Sequence, residues 1–193
     1  MDRAIREIWG IENALEGVSF AGATDSAIAR RVGDGHPRAP MWARYQHHLE
    51  AALAEGGVPS DPLPGVVPLL DSLRARNARL GILTGNMRGG ACLKLRAAGL
   101  LDRFELELSA FAEDGFARTE LAEAALRRCG GLPLSIVGDS VADIECARHI
   151  GARVLAVSTG PQEAAELEAA QPDWLVPDLT RSDAIADWLL APR

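Results

Sequence analysis

The last two thirds of the chain alternate short, mainly apolar runs with helical patterns, and this alternation restricts the fold more than any other feature. The apolar runs lie at 79–84, 104–108, 134–137, 153–157 and 174–176. Strands that are apolar throughout are typical of a parallel sheet covered by helices on both faces. The pattern therefore predicts an α/β fold.

The first third of the chain contains no strand pattern and predicts helices instead. Thr24 or Asp25 could cap one of them. A Pro-rich stretch at 60–65 then separates the two kinds of pattern, as a linker or hinge does. We therefore expect a helical unit at 1–62 and an α/β unit at 63–193.

The composition is acidic, with 20 Lys and Arg residues against 27 Asp and Glu residues and a net charge of −7. Nucleic acids and anionic membranes attract clustered cations, so we expect neither as a partner. The chain has three cysteines, an odd number, and their spacing is not that of metal ligands; they are Cys92, Cys129 and Cys146. We therefore expect them to be small apolar residues of a protein in a reducing, cytoplasmic setting. No apolar run approaches the roughly 20 residues of a membrane helix, and the charged N-terminus is unlike a signal peptide.

Polar residues follow two of the predicted strands, at the ends where parallel sheets bind ligands. The first run, 79–84, ends at Thr84, and Gly85 and Asn86 follow it. A hydroxyl beside free N–H groups at a helix start could bind a phosphate oxygen. The same residue types are also common in ordinary strand-to-helix turns, so both interpretations stay open.

Two carboxylates follow the run at 134–137. Asp139 and Asp143 stand one helical turn apart and could hold Mg²⁺, which prefers oxygen ligands. Ser140 and Asp143 also have the spacing of a capping box, in which the acid only stabilises the helix start. Arg118, before the preceding helix, could neutralise a phosphoryl group or could simply be a surface residue.

The order of these features resembles the second, third and fourth motifs of the haloacid dehalogenase superfamily. PLPGVVPLLDSLRARNARLGILTGN and IVGDSVADIECARHIGARVLAVSTG look like the matching segments of phosphoglycolate-phosphatase-like members. The resemblance implies a HAD-like Rossmannoid sheet with an N-terminal helical cap. It also implies Mg²⁺-dependent hydrolysis of a small phosphorylated metabolite through an aspartyl-phosphate.

The resemblance assigns a role to each candidate residue. Thr84, Gly85 and Asn86 would bind the phosphoryl oxygens, and Arg118 would stand where the family usually has a lysine. Asp139 would bind Mg²⁺, and Asp143 would bind it or orient its ligands. The cap, near Asp25 and the loop 33–40, would help to select the substrate; the candidate catalytic set is Thr84, Arg118, Asp139 and Asp143.

One motif of the family is absent from this sequence, namely the Asp-x-Asp-Gly-Thr run that carries the nucleophile. Neither Asp34-Gly35 nor Asp114-Gly115 replaces it. We therefore expect a phosphohydrolase sequence without its nucleophile segment, inactive as given and weak in Mg²⁺ binding. The alternative is an inactive HAD-like binding or interaction protein; a receiver-like signalling domain fits the helical first third less well.

The resemblance places the absent motif on a central strand, between the run ending at Thr84 and the run ending at Gly138. Each unpaired buried backbone group costs about 1–3 kcal/mol, which an ordinary domain tolerates poorly. We expect one of three arrangements: direct pairing of the two runs, another segment between them, or a gap.

Overall fold

A computed structural model describes residues 1–18, 20 and 22–192. Over these residues the protein is an α/β fold with nine α-helices and a three-stranded parallel sheet. The helices are α1 Asp2–Trp9, α2 Asp25–Val32, α3 Arg38–Ala54, α4 Val66–Ala75, α5 Arg88–Ala97, α6 Arg118–Arg128, α7 Val141–His149, α8 Ala164–Ala169 and α9 Ser182–Leu190. The strands are β1 Ser135–Gly138, β2 Arg153–Val157 and β3 Trp174–Val176.

The first three helices form the predicted helical region. Ile5 and Trp9 of α1 pack against Met41 and Trp42 of α3 in one apolar cluster. The hydroxyl of Thr24 accepts a hydrogen bond from the backbone N of Ala27 at 3.1 Å, which confirms Thr24 as the cap of α2. Helix α3 also packs against α5, so the helical region rests on the α/β region. The division at residue 62 stays a prediction.

The sheet has the order β1-β2-β3, and the strands predicted at 134–137, 153–157 and 174–176 are confirmed. Alternate residues of β2 point to opposite faces. Leu155 packs with α4 and α9, whereas Val154 packs with α7 and α8. The helices therefore cover both faces of β2, as its uninterrupted apolar sequence predicted.

The run at 79–84 does not join this sheet. It makes a single parallel bridge, between Leu83 and Ala110, in place of a ladder. The strand predicted at 104–108 is wrong, because this segment forms a turn in which the backbone N of Leu108 donates to the carbonyl of Glu105. The apolar side chains misled the prediction, since they are buried by a turn as well as by a strand.

Ser109 explains how the turn still supports the neighbouring run. Its side chain is fully buried. Its Oγ accepts a hydrogen bond from the backbone N of Ile82 at 2.9 Å and donates to the carbonyl of Glu105 at 2.9 Å. A serine hydroxyl thus occupies the place of a backbone acceptor that a regular strand would supply.

One edge of β1 is unpaired within the part of the chain that the structure describes. Ile136 pairs with Val154 of β2 and has no strand partner on its other side. Val137 is accordingly 40% exposed, whereas the matching positions of β2 are buried. Two of the three expected arrangements are therefore wrong: β1 does not pair directly with the run at 79–84, and no other described segment lies against this edge. The arrangement observed is the gap.

The three cysteines are free, as expected, but only Cys146 is fully buried. Cys92 and Cys129 are half-buried. Among the residues with described positions, no helix is both long and apolar enough to span a bilayer.

Candidate active site

Thr84 lies at the carboxyl end of the extended run, as predicted. Its Oγ1 accepts two hydrogen bonds from Asn86, one from the backbone N at 3.2 Å and one from Nδ2 at 2.8 Å. A hydroxyl oxygen has two lone pairs and one hydrogen, so both acceptor positions are filled and the hydrogen remains to be donated. No acceptor for it lies among the described residues. This geometry suits a donor to an oxyanion.

Lys94 extends this group and was missed by the sequence reasoning. It lies on α5, and its Nζ donates to Oδ1 of Asn86 at 2.7 Å. A signal was present, because Lys94 is the only lysine among the chain's 20 Lys and Arg residues. The loop after the extended run therefore carries a fixed positive charge as well as a hydroxyl.

The start of α2 contacts the same loop through Asp25. The backbone N of Asp25 donates to the carbonyl of Gly85 at 2.6 Å, and the backbone N of Met87 donates to Oδ2 of Asp25 at 2.8 Å. A Cβ at position 85 would lie 2.8 Å from the carbonyl oxygen of Ala23, so the glycine makes room for the cap backbone. Burial raises the pKa of the Asp25 carboxyl, against the opposing effects of the Met87 N–H and Lys94.

Arg118 and Asp143 form an ion pair at the start of α7. Their side chains are only 19% and 10% exposed, so Arg118 is not a surface residue. The other carboxylate oxygen of Asp143 accepts from the hydroxyl of Ser140 at 2.6 Å and from the backbone N of Ser140 and of Asp139, each at 3.2 Å. The capping box foreseen at Ser140 and Asp143 is present. Both oxygens of Asp143 are therefore engaged by protein donors.

Asp139 differs from Asp143, because none of the described residues donates a hydrogen bond or forms an ion pair with its carboxylate. A Cβ at position 160 would lie 2.7 Å from the Cβ of Asp139, so Gly160 makes room for this side chain. No group of three or more His, Cys, Asp or Glu side chains within the described ranges could hold a metal. Mg²⁺ typically uses one or two carboxylates together with waters and phosphate oxygens. Asp139 fits as one such ligand, and the described residues do not complete a site.

The predicted residues thus fall into two groups. Thr84, Gly85 and Asn86 form one, and Arg118, Asp139 and Asp143 form the other; no described hydrogen bond joins them. The turn before α2 touches both. The hydroxyl of Thr24 donates to the carbonyl of Phe116 at 2.9 Å, next to Arg118, while the following residue bonds to Gly85. A Cβ at Gly22 would be in ordinary contact, 3.5 Å, with that of Ala142 in α7.

The family model described as haloacid dehalogenase-like hydrolase matches residues 10–157. The chain therefore belongs to the haloacid dehalogenase-like hydrolases, and within them it is similar to phosphoglycolate phosphatases. It is 36% identical over 115 residues to the phosphoglycolate phosphatase of Synechococcus elongatus, a match that covers 58% of this chain and 53% of that enzyme. It is 30% identical over 190 residues to the phosphoglycolate phosphatase of Nitrosospira multiformis, covering 91% and 81% of the two chains.

The fold is also that of solved relatives. A hydrolase from Pseudomonas syringae superposes with a TM-score of 0.66 at 20% sequence identity, covering 98% of this chain and 94% of that one. The predicted fold class and family resemblance are thereby confirmed. The match to the Synechococcus enzyme spans about half of that protein's length.

Proposed function

We propose that this protein is a Mg²⁺-dependent phosphohydrolase that cleaves a small phosphate monoester through an aspartyl-phosphate. The membership of the family supports hydrolysis of a phosphate ester in general. The single observation that supports the site assignment is the hydroxyl of Thr84, whose acceptor positions are filled and whose hydrogen is left to donate. That is the donor geometry needed at an equatorial phosphoryl oxygen.

Each side chain contributes differently to the proposed reaction. Thr84 and the backbone around Gly85 bind the phosphoryl oxygens, whereas the N–H groups of Met87 and Arg88 at the start of α5 already donate to the carboxylates of Asp25 and Glu113. Arg118 holds Asp143 and adds fixed positive charge beside the reacting group. Asp139 is the proposed metal ligand, and Asp143 positions the backbone of Asp139 through a hydrogen bond. When bound, Mg²⁺ would neutralise charge on the phosphoryl group.

The nucleophile is the component that residues 1–193 lack, since they contain no Asp-x-Asp-Gly-Thr run. Without a nucleophilic carboxylate no aspartyl-phosphate can form. We therefore propose that the chain as given binds phosphate but does not turn over esters. An added segment with an apolar strand ending in that motif would complete the reaction.

The substrate is proposed from the relatives. Two curated proteins at 36% and 30% identity are named phosphoglycolate phosphatases, which makes 2-phosphoglycolate the first ester to test.

The experiment compares the 193-residue chain with a version preceded by such an apolar strand. Both are assayed with 2-phosphoglycolate and p-nitrophenyl phosphate in Mg²⁺. Turnover in the extended version alone, lost in Thr84→Val, supports the proposal. Turnover of the short chain that depends on Thr84 would refute the claim that these residues lack the nucleophile.

The second candidate is a phosphate-binding protein without catalysis. The observation that favours it is that no cluster of three metal-binding side chains exists among the described residues. Phosphate binding that depends on Thr84, without turnover in either version, would support this alternative over hydrolysis.

A further inference from the structure

We propose that Lys94 is a positioning residue, which orients the Asn86 amide and thereby directs the Thr84 hydroxyl toward a bound phosphoryl group. This inference rests on the proposed function, since it concerns the same phosphate site. It assigns a role to a residue of α5 that lies outside the four sequence motifs discussed above.

The first step is the identity of the residue. Every other basic side chain of the Lys and Arg set is arginine, so position 94 alone has lysine. Arginine is a planar, forked donor, whereas lysine is a compact charge on a flexible stem. A half-buried position beside a tight loop suits the smaller head group. The single lysine is therefore placed where an arginine would fit less well.

The second step is the orientation of the amide. An Asn side chain has a donor end and an acceptor end, and its neighbours decide which end faces which way. Lys94 can only donate, so Oδ1 of Asn86 must face Nζ, at 2.7 Å. Nδ2 then faces Oγ1 of Thr84, at 2.8 Å. A reversed amide would place two donors against each other at Lys94.

The third step is the consequence for Thr84. Because Nδ2 and the backbone N of Asn86 both donate to Oγ1, neither can accept the hydrogen of the Thr84 hydroxyl. If the amide reversed, Oδ1 would accept that hydrogen and the hydroxyl would be lost as a phosphate donor. Lys94 thus prevents an internal hydrogen bond that would compete with the ligand.

The test measures binding of inorganic phosphate to the 193-residue chain in Mg²⁺ buffer by calorimetry. The variants are Lys94→Met, Asn86→Ala, their double mutant and Thr84→Val. We expect Lys94→Met to weaken phosphate binding about tenfold, the equivalent of one hydrogen bond of about 1.4 kcal/mol. In the Asn86→Ala background the same change should have almost no further effect, because the amide is the intermediary.

Arg96→Met is the matched control. Arg96 is an exposed cation on the same helix, so this variant loses the same charge without touching the amide. If Arg96→Met weakens binding as much as Lys94→Met, or if Lys94→Met remains harmful in the Asn86→Ala background, then Lys94 acts by charge alone and the positioning role is refuted.

A second measurement, made without phosphate, tests the orientation of the Asn86 amide directly. It applies even if a variant binds phosphate poorly for another reason. In the wild type we expect a nuclear Overhauser effect from the Asn86 side-chain amide hydrogens to Thr84. In Lys94→Met this effect should weaken as the amide reverses; an unchanged effect would refute the inference. If Thr84→Val weakens phosphate binding and Lys94→Met does not, only this inference fails. If the wild type binds no phosphate, or Thr84→Val binds it equally well, the proposed function fails too.

Discussion

Ser109→Ala tests how the extended run at 79–84 is held. The serine hydroxyl is the hydrogen-bond acceptor for the backbone N of Ile82 and a donor to the carbonyl of Glu105, both at 2.9 Å. Alanine keeps the size of the side chain almost unchanged, so packing is preserved while both hydrogen bonds are removed. The backbone N of Ile82 then loses its partner, whereas the carbonyl of Glu105 still accepts from the backbone N of Leu108.

The magnitude follows from these two bonds. Ser109 is 0% exposed, so water cannot easily replace its hydroxyl. Two lost hydrogen bonds of about 0.5–1.5 kcal/mol each, with one backbone group left unpaired, give a destabilisation of about 2–3 kcal/mol. For a chain of this size each kcal/mol lowers the melting temperature by roughly 2–4 °C. We therefore expect a decrease of roughly 4–12 °C.

The assay is urea unfolding followed by circular dichroism, with the m-value checked for constancy. Ser72→Ala is the matched control, because the hydroxyl of Ser72 makes an exposed hydrogen bond to Asp183 at 3.1 Å. The control should change the free energy of unfolding by less than about 0.5 kcal/mol. Equal stability of the Ser109→Ala variant and the wild type would refute the claim that this hydroxyl supports the run.

Three further predictions concern the site. Asp139→Asn should abolish Mg²⁺ binding in calorimetry, while the exposed control Asp187→Asn leaves it unchanged. Equal Mg²⁺ binding by the two variants would refute the assignment of Asp139 as the metal ligand. Arg118→Met should lower the free energy of unfolding, measured in urea, by about 2–3 kcal/mol. This is less than the cost of a buried charge without any partner, because Asp143 keeps its other hydrogen-bond donors. An unchanged free energy of unfolding would refute the contribution of this buried ion pair. Burial raises the pKa of the Asp25 carboxyl above its ordinary value of 3.8. The contribution of the protonated carboxyl to stability is therefore fully present below pH 3.8 and is lost as the pH rises through the pKa of the folded state. Asp25→Asn should thus stabilise the protein at neutral pH but not at pH 3, and equal stabilisation at both would refute this.

The parts of the fold that depend on side-chain periodicity were predictable. The strands β1, β2 and β3 and the capping residue Thr24 follow from local patterns, and the structure has them. The turn at 104–108 was not predictable from the sequence. It depends on a hydrogen bond from the backbone N of Ile82 to the hydroxyl of Ser109, and these two residues lie far apart in the sequence. The periodicity of apolar residues indicates which side chains are buried. It does not indicate which backbone groups form hydrogen bonds with those side chains.

The positions of the candidate residues at the ends of the runs were predictable, but their connections were not, and their roles stay predictions. Thr84 and Asp139 stand at the ends of their strand runs, as the sequence implied. The role of Asp143 was open, because it lies one helical turn after Asp139, as a pair of metal ligands would, and three residues after Ser140, as a capping box requires. Lys94 was missed because its partner Asn86 lies eight positions away, across the start of α5, and only the rarity of lysine in this chain pointed to it.

The turn before α2 connects the two groups of the site and limits their separation. Asp25 bonds to Gly85 on one side, and on the other a Cβ added at Gly22 would lie 3.5 Å from the Cβ of Ala142. The three residue steps from 22 to 25 can span at most about 11 Å. Two neighbouring strand spacings in a sheet amount to about 10 Å. The turn therefore keeps the end of the run at 79–84 and the start of α7 within about the width that a single intervening strand would occupy, which is the position that the family resemblance gives to the absent first motif.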